Sequence, residues 1–285
     1  RIKMHNHSSG SFKPTDLPGR TGPSLDLRRV RKQAVFRSLF CILWLLMGAC
    51  AQGPDPRPQK GTSGMVSHTD QAKFRLFAAC TPKALERWET AAQEDGVSAL
   101  RAANCHVFPA LHGTDRETRL AHARKGRKLA ELAVSRLPKS ARAHYLLAYL
   151  TGLEAENDSL HGLQLVPVIE REALAAAGLN PGLDHGGPDR MLGELYLQAP
   201  AFPLSIGDSA KSVAHFRRAL DQDPDFIDNR LGLVEALLAE EKGSEACHEL
   251  NRVMRRLKPG TGPLEKWRMT LDLLGRLCRE IDGRR

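Results

Sequence analysis

The chain has 285 residues, of which 41% are hydrophobic and 26% charged, and its formal net charge is +9. This composition is typical of a globular protein and excludes a disordered chain or one with many membrane spans. Nine Lys or Arg and only two Asp fall within residues 1–49, so most of the excess positive charge belongs there. The rest of the chain is close to neutral, which argues against a nucleic-acid partner.

The first segment of the chain has features typical of a secretion signal. Residues 1–29 are expected to be a disordered or non-native extension, because the sequence up to residue 27 is rich in Gly, Ser, Pro and His without apolar periodicity. A basic stretch then precedes eleven apolar residues, 39–49. A bilayer span takes about 20 residues, so this run suits the core of a signal peptide. We predict a signal peptide over residues 30–49.

Cys50 follows the small residues Gly48 and Ala49, an arrangement that resembles a bacterial lipoprotein signal. The resemblance implies that Cys50 carries lipid as the first mature residue; the alternative is a buried Cys in a short core helix. Residues 50–66 contain several Pro and Gly and are predicted to be a flexible tether. Because Ala51 stands where Asp would favour the inner membrane, the resemblance implies an outer-membrane anchor facing the periplasm.

Four further cysteines follow the tether. Cys80 and Cys105 lie near the start of the remaining chain, and Cys247 and Cys278 lie near its end. An oxidising compartment permits disulfides, and pairing between sequence neighbours would join Cys80 to Cys105 and Cys247 to Cys278. The sequence itself allows three connectivities, and free buried thiols are an equal alternative.

Residues 67–285 are predicted to form one all-α domain, because apolar residues recur at three- and four-residue spacing without strand alternation. The sequence predicts about ten helices, with the stretch 96–114 the least readable. Their approximate bounds are 67–79, 82–95, 115–137, 139–155, 164–178, 188–198, 208–222, 226–240, 243–257 and 263–281.

A repeat appears when the helices that end in Pro are aligned. Three copies share spacings of four, three and five residues, and their prolines are 43 residues apart. The copies are Gly126, Ala130, Ala133, Pro138; Ile169, Ala173, Ala176, Pro181; and Ser212, Phe216, Ala219, Pro224. A fourth copy, Ala246, Leu250 and Val253, has its Pro one residue late. A small first residue lets two helices approach closely, and the Pro ends the helix.

This pattern resembles the tetratricopeptide repeat, and Leu192, Gly193 and Tyr196 add a second element typical of that family. The resemblance implies a solenoid of helical hairpins with a concave binding face. A HEAT-like solenoid is the alternative, since its repeat is about 43 residues long. Together with Cys50, the segments 185–190 and 199–208 resemble lipoproteins that include the T component of TRAP-type transporters, which implies a periplasmic solute-binding protein as partner.

No catalytic motif is present. The chain lacks a G-x-S-x-G nucleophile, a phosphate-binding loop and histidines at metal-ligand spacing, so we predict neither an enzyme nor a metal or cofactor site. Asp189 and Asp208 could form a carboxylate pair beside Arg190. We favour structural roles for these side chains, as ion-pair partners or helix caps. The dispersed histidines are expected to be surface or capping residues, with His144 packed.

The loop 199–208 is the best candidate for function, because apolar loops rich in Pro are preorganised for binding. Phe202 and Leu204 could contact a partner; the alternative is that the loop only covers the end of its own repeat. The candidate partner- or ligand-binding residues are Asp189, Arg190, Tyr196, Phe202, Leu204 and Asp208. The predicted function is a membrane-tethered scaffold for an envelope protein, and the alternative is a small-ligand-binding accessory lipoprotein in solute uptake.

Overall fold

The computed structural model describes residues 75–158 and 161–256, together with 275, 276 and 278. Within this part of the chain there are nine α-helices and no β-strand. In chain order they are α1 Pro82–Ala91, α2 Gly96–His112, α3 Arg116–Arg136, α4 Ala141–Asn157, α5 Gly162–Leu179, α6 Gly187–Gln198, α7 Ser209–Gln222, α8 Ile227–Ala239 and α9 Gly243–Arg256. The prediction of an all-α fold is confirmed.

Each helix packs chiefly against the helices before and after it. Four hairpins result, α2/α3, α4/α5, α6/α7 and α8/α9, and we call their first members the A helices and their second members the B helices. Two pairs of A helices from neighbouring hairpins also touch, α2 with α4 and α6 with α8. Contact between near neighbours alone is typical of solenoids. The chain is therefore a helical-hairpin solenoid.

The repeat positions lie on the buried faces of the B helices. The buried residues are Gly126, Ala130 and Ala133 in α3, Ile169, Ala173 and Ala176 in α5, Ser212, Phe216 and Ala219 in α7, and Ala246, Leu250 and Val253 in α9. A Cβ atom on Gly126 would lie 2.7 Å from Leu150 of α4 and 2.8 Å from His106 of α2. The small first residue therefore lets two A helices approach α3 closely.

Phe216 of α7 lies completely buried between two glycines of neighbouring A helices. A Cβ atom on Gly193 of α6 would lie 2.8 Å from one edge of the Phe216 ring. A Cβ atom on Gly232 of α8 would overlap the opposite edge. Only glycine leaves room for the ring at these two positions, so packing against Phe216 explains Gly193 in the Leu192, Gly193 and Tyr196 set.

The first predicted helix, 67–79, is wrong for its described residues, because residues 75–79 are not helical. The amide side chain of Asn104 on α2 binds this segment: its Oδ1 accepts from the Phe77 N–H at 2.9 Å, and its Nδ2 donates to the Arg75 carbonyl at 3.2 Å. Contacts with a distant helix therefore replace the hydrogen bonds that a helix would make within the segment.

The stretch 96–114, in which the sequence pattern predicted no helix, contains α2. This helix is buried on most of its surface and therefore shows little amphipathic contrast. The next helix begins one residue after its predicted start at 115, since Asp115 caps α3 by accepting from the Thr118 N–H at 2.7 Å. The last predicted helix, 263–281, lies outside the described residues except for three helical positions.

Two disulfides join Cys80 to Cys105 and Cys247 to Cys278. They are the two pairs of sequence neighbours considered above, and free thiols at these positions are excluded. The first disulfide ties the non-helical segment to α2, and the second ties α9 to a residue 31 positions further along the chain.

Candidate functional site

The loop 199–208, which we call the apolar loop, connects α6 to α7 within one hairpin. Its two ends are joined by hydrogen bonds, from the Gly207 N–H to the Pro200 carbonyl at 2.9 Å and from the Asp208 N–H to the Tyr196 carbonyl at 2.9 Å. Ile206 packs against a buried cluster that includes Leu192 and Tyr196. The base of the apolar loop is therefore fixed to the solenoid.

The tip of the apolar loop presents two large apolar side chains to solvent. Phe202 is 88% exposed and Leu204 is 77% exposed, the highest values among the exposed large hydrophobic residues of the described chain. These two side chains do not cover the end of their own repeat, because such a role would bury them. Exposed apolar side chains held on a fixed base are suited to contact with a partner.

Tyr196 and Asp208 have structural contacts at the base of this loop. The Tyr196 ring is buried and stacks on the His215 ring, with 5.3 Å between the ring centroids. The Tyr196 hydroxyl donates to Oε1 of Glu170 at 2.5 Å. Burial and the nearby Glu170 raise the pKa of Tyr196. Asp208 caps α7 by accepting from the Lys211 N–H at 2.9 Å.

Asp189 lies in a buried polar cluster at the interface of α6 and α7. Its Oδ1 atom is 2.8 Å from Nδ1 of His215 and accepts from Nε of Arg218 at 3.0 Å. The expectation that the dispersed histidines lie at the surface is wrong for His215, which is buried. Asp189 therefore has a positive partner on the next helix, and it does not pair with its neighbour Arg190.

Arg190 instead joins two A helices and the turn between α5 and α6. Its guanidinium donates to Asp184 Oδ2 at 2.7 Å and to Asn229 Oδ1 on α8 at 3.0 Å. The Tyr145 hydroxyl of α4 donates to the same Asp184 oxygen at 2.7 Å. These contacts hold the turn against three A helices, which is a structural task.

Asp189, Arg190 and Asp208 thus make separate contacts and do not converge on one point. The structure gives each of the three a structural partner, and the carboxylate pair considered from the sequence is not formed. A site of acid–base chemistry requires a nucleophile or a base held beside a second reacting group. This segment shows no such arrangement among the described residues.

A pair of neighbouring histidines, which the sequence analysis did not predict, lies between α1, α2 and α3. His106 is buried; its Nε2 is 2.9 Å from Glu89 Oε1, and its Nδ1 is 2.9 Å from Nδ1 of His122. Lys125 also contacts Glu89 at 2.8 Å. A neutral His106 that donates to Glu89 and accepts from His122 satisfies every one of these contacts. Sixteen residues separate the two histidines in sequence, so no motif spacing reveals them.

We expect this pair to make stability fall as the pH is lowered. Burial, together with the positive charges of His122 and Lys125, lowers the pKa of His106 below its ordinary value of 6.5 despite the hydrogen bond to Glu89. The fold therefore favours neutral His106. Its contribution is complete above pH 6.5 and declines as the pH falls from there towards the lower pKa of the folded state.

The measurement is the urea concentration at which half of the protein is unfolded, determined at several pH values from 8 to 5. It is made for the wild type, His106→Gln and the exposed control His112→Gln. The His106→Gln variant should show a shallower decline than the wild type, while His112→Gln should follow the wild type. Equal slopes for all three proteins would contradict a role for His106 in the pH dependence of stability.

His144 is packed, as expected, with its Nδ1 atom 2.6 Å from Glu172 and its Nε2 atom 3.0 Å from the Pro138 carbonyl. Within the described residues, no group of three or more His, Cys, Asp or Glu side chains could hold a metal ion.

A surface cavity of about 190 Å³ lies between α7, α8 and α9. Pockets for small organic ligands usually measure about 300–1,000 Å³, so this cavity is small for such a ligand.

None of the helices in the described part of the chain has the length and apolar character needed to cross a bilayer. Four predicted features lie outside the described residues, namely the lipidation site Cys50, the extension 1–29, the signal peptide 30–49 and the tether 50–66.

Comparison with protein families and with curated proteins gives no match for this chain.

Proposed function

We propose that the chain is a non-enzymatic helical scaffold, tethered to a bacterial membrane through Cys50, that binds a protein of the cell envelope through its apolar loop. The exposure of Phe202 and Leu204 on a fixed base carries this proposal. Exposed apolar side chains at a surface favour association, since contact with a partner removes them from water. A loop that is already ordered loses little conformational freedom on binding.

The resemblance of the repeat sets to tetratricopeptide repeats supports a scaffold rather than an enzyme. Stacked helical hairpins provide extended surfaces for other proteins. The signal-like segment ending at Cys50 supports a location in the cell envelope. Within that location, we propose a periplasmic solute-binding protein as the partner, on the resemblance to the T component of TRAP-type transporters.

Site-specific photocrosslinking tests the proposal. The full, lipidated chain is expressed in a bacterial envelope with p-benzoylphenylalanine in place of Phe202, and Lys128, an exposed residue of α3, provides the control position. We expect a dominant protein adduct at position 202 that is absent at position 128. Leu204→Ser should lower the yield of the adduct at position 202, because it removes the second apolar contact with the partner.

The identity of the adduct separates the possible outcomes. A solute-binding protein would support the TRAP-like role, whereas another envelope protein would support the scaffold and contradict the transport assignment. The same adducts at both positions, or lipid adducts alone, would overturn the proposal that the apolar loop binds a protein.

A further inference from the structure

Two arginines lie against one tryptophan where α1 packs on α2. Cζ of Arg101, on α2, is 4.5 Å from the centroid of the Trp88 ring, and Cζ of Arg87, on α1, is 4.8 Å from a Trp88 ring centroid. Arg87 is exposed, whereas Trp88 and Arg101 are half-buried. An aromatic face attracts a guanidinium group through its quadrupole. The indole therefore holds two positive groups beside it, and we call Arg87 and Arg101 the arginine pair.

The arginine pair has many unused hydrogen-bond donors. A guanidinium group carries five N–H donors, yet within the described residues neither member of the pair forms a hydrogen bond or an ion pair. Nε of Arg101 is buried, and in the described part of the chain it is the only buried side-chain nitrogen or oxygen without a partner. Because buried polar groups are almost always hydrogen-bonded, this atom marks a candidate for ligand binding.

One neighbouring carboxylate, that of Asp95, is already engaged elsewhere. Its oxygens accept from the N–H groups of Val97 at 3.0 Å and Ser98 at 2.9 Å, and from the Ser98 hydroxyl at 2.6 Å. The hydrogen bond from the Ser98 hydroxyl is the main cause that lowers the pKa of Asp95, and the charge of Arg101 is a smaller one. Asp95 thus caps α2, and the positive charge of the arginine pair stays available.

We propose that the arginine pair binds a phosphate group beside Trp88. The planar fork of a guanidinium group matches the oxygens of a phosphate, and two guanidinium groups supply two positive charges. A carboxylate carries one charge and two oxygens, so a single guanidinium group would satisfy it. On binding, Arg101 exchanges part of its contact with the Trp88 ring for hydrogen bonds to the phosphate, which gives its Nε atom a partner.

Two sources offer this chemistry, a phospholipid headgroup and a soluble phosphate compound. The site goes beyond the proposed function, because it uses α1 and α2 and not the apolar loop. Only the lipid source rests on the proposed function, since it requires that Cys50 anchors the chain at a membrane. In the described part of the chain, α1 is the first helix after the predicted tether.

Calorimetric titration with inorganic phosphate tests the site on the full chain in a non-ionic detergent. Phosphate should bind to the wild type, and chloride at the same ionic strength should give no comparable heat. Arg101→Gln should weaken phosphate binding at least tenfold. Arg87→Gln should weaken it as well, and this variant should fold normally because the side chain is exposed.

The matched control is Arg255→Gln, the same change at an exposed arginine of α9, which should alter the affinity less than twofold. Phe202→Ser should bind phosphate as the wild type does, which separates this site from the apolar loop. An equal loss in Arg255→Gln, or no binding of phosphate to the wild type, would overturn the proposal.

The fluorescence of Trp88 reports whether the phosphate binds at this place. Since Arg101 gives up part of its contact with the ring, saturation with phosphate should change the emission intensity of Trp88. The change should disappear in Trp88→Phe and persist in Trp267→Phe. A change that persists in Trp88→Phe would place the phosphate elsewhere and contradict the proposal.

Vesicles of two compositions separate the two sources. The full chain is incorporated into vesicles of phosphatidylglycerol or of digalactosyldiacylglycerol, which contains no phosphate. For a lipid headgroup, Trp88 should show the emission of the bound form in phosphatidylglycerol alone, before phosphate is added. For a soluble compound, both vesicles should show the free form until inorganic phosphate is added. Either result supports a phosphate site, whereas the free form in both vesicles after the addition would overturn it.

Discussion

Replacing Phe216 with Ala is expected to lower the free energy of unfolding by about 3–5 kcal/mol, the usual cost of emptying a buried aromatic site. The loss should be near the upper end, because Gly193 and Gly232 have no side chains with which to fill the cavity. Urea unfolding followed by circular dichroism measures the loss. Hydrogen exchange should locate it in α6, α7 and α8, since contacts in a solenoid are local.

Phe202→Ala is the matched control for this substitution, because it removes the same side chain from a position that is 88% exposed. It should change the unfolding free energy by less than about 0.5 kcal/mol. Adding a methyl group in Gly232→Ala should cost about 1–3 kcal/mol through overpacking against the ring. If Phe216→Ala and Phe202→Ala were equally mild, the assignment of Phe216 to the centre of the core would be wrong.

The repeat could be predicted because its determinants are local. The spacing of Ser212, Phe216 and Ala219 reflects one face of one helix, and Pro224 ends that helix by its own covalent structure. The same reasoning explains why a single sequence sufficed to place the B helices and the apolar loop. Each of these features depends on residues within about two helical turns of one another.

Features that depend on distant partners could not be predicted in this way. The segment 75–79 has a helix-like pattern, yet Asn104 and the Cys80–Cys105 disulfide hold it in another form. The helix α2 is the opposite case, a helix that the sequence pattern did not predict. Burial on most sides removes the amphipathic pattern by which a helix is recognised. Tertiary contacts decide both cases, and a local pattern contains no information about them.

The polar clusters of the candidate site have the same limitation. Asp189 and Arg190 are adjacent in sequence, and their charges suggest a shared ion pair. On a helix, adjacent side chains point in different directions, so Asp189 contacts His215 on α7 while Arg190 contacts Asp184 in the preceding turn.

The turn that contains Asp184 explains why Arg190 matters for stability. Asp184, His185 and Gly186 are consecutive residues in the left-handed region, with φ values of 50°, 59° and 80°. Such a conformation is unfavourable for the two residues with side chains. Nη1 of Arg190 donates to the carbonyls of Asp184 at 3.2 Å and His185 at 3.5 Å, so its guanidinium fixes this backbone as well as the Asp184 carboxylate.

Arg190→Met is therefore expected to cost about 3–5 kcal/mol, since it leaves the Asp184 carboxylate, whose side chain is only 20% exposed, without its positive partner. Arg190→Lys should recover less than half of this loss, because an ammonium cannot bridge Asp184, Asn229 and two carbonyls as a planar guanidinium does. Arg217→Met is the control, because Arg217 pairs with Glu245 in an exposed contact, and it should cost less than about 1 kcal/mol. Urea unfolding of the three variants measures these differences. Wild-type stability in Arg190→Lys would show that charge alone, rather than the shape of the guanidinium, holds the turn against the A helices.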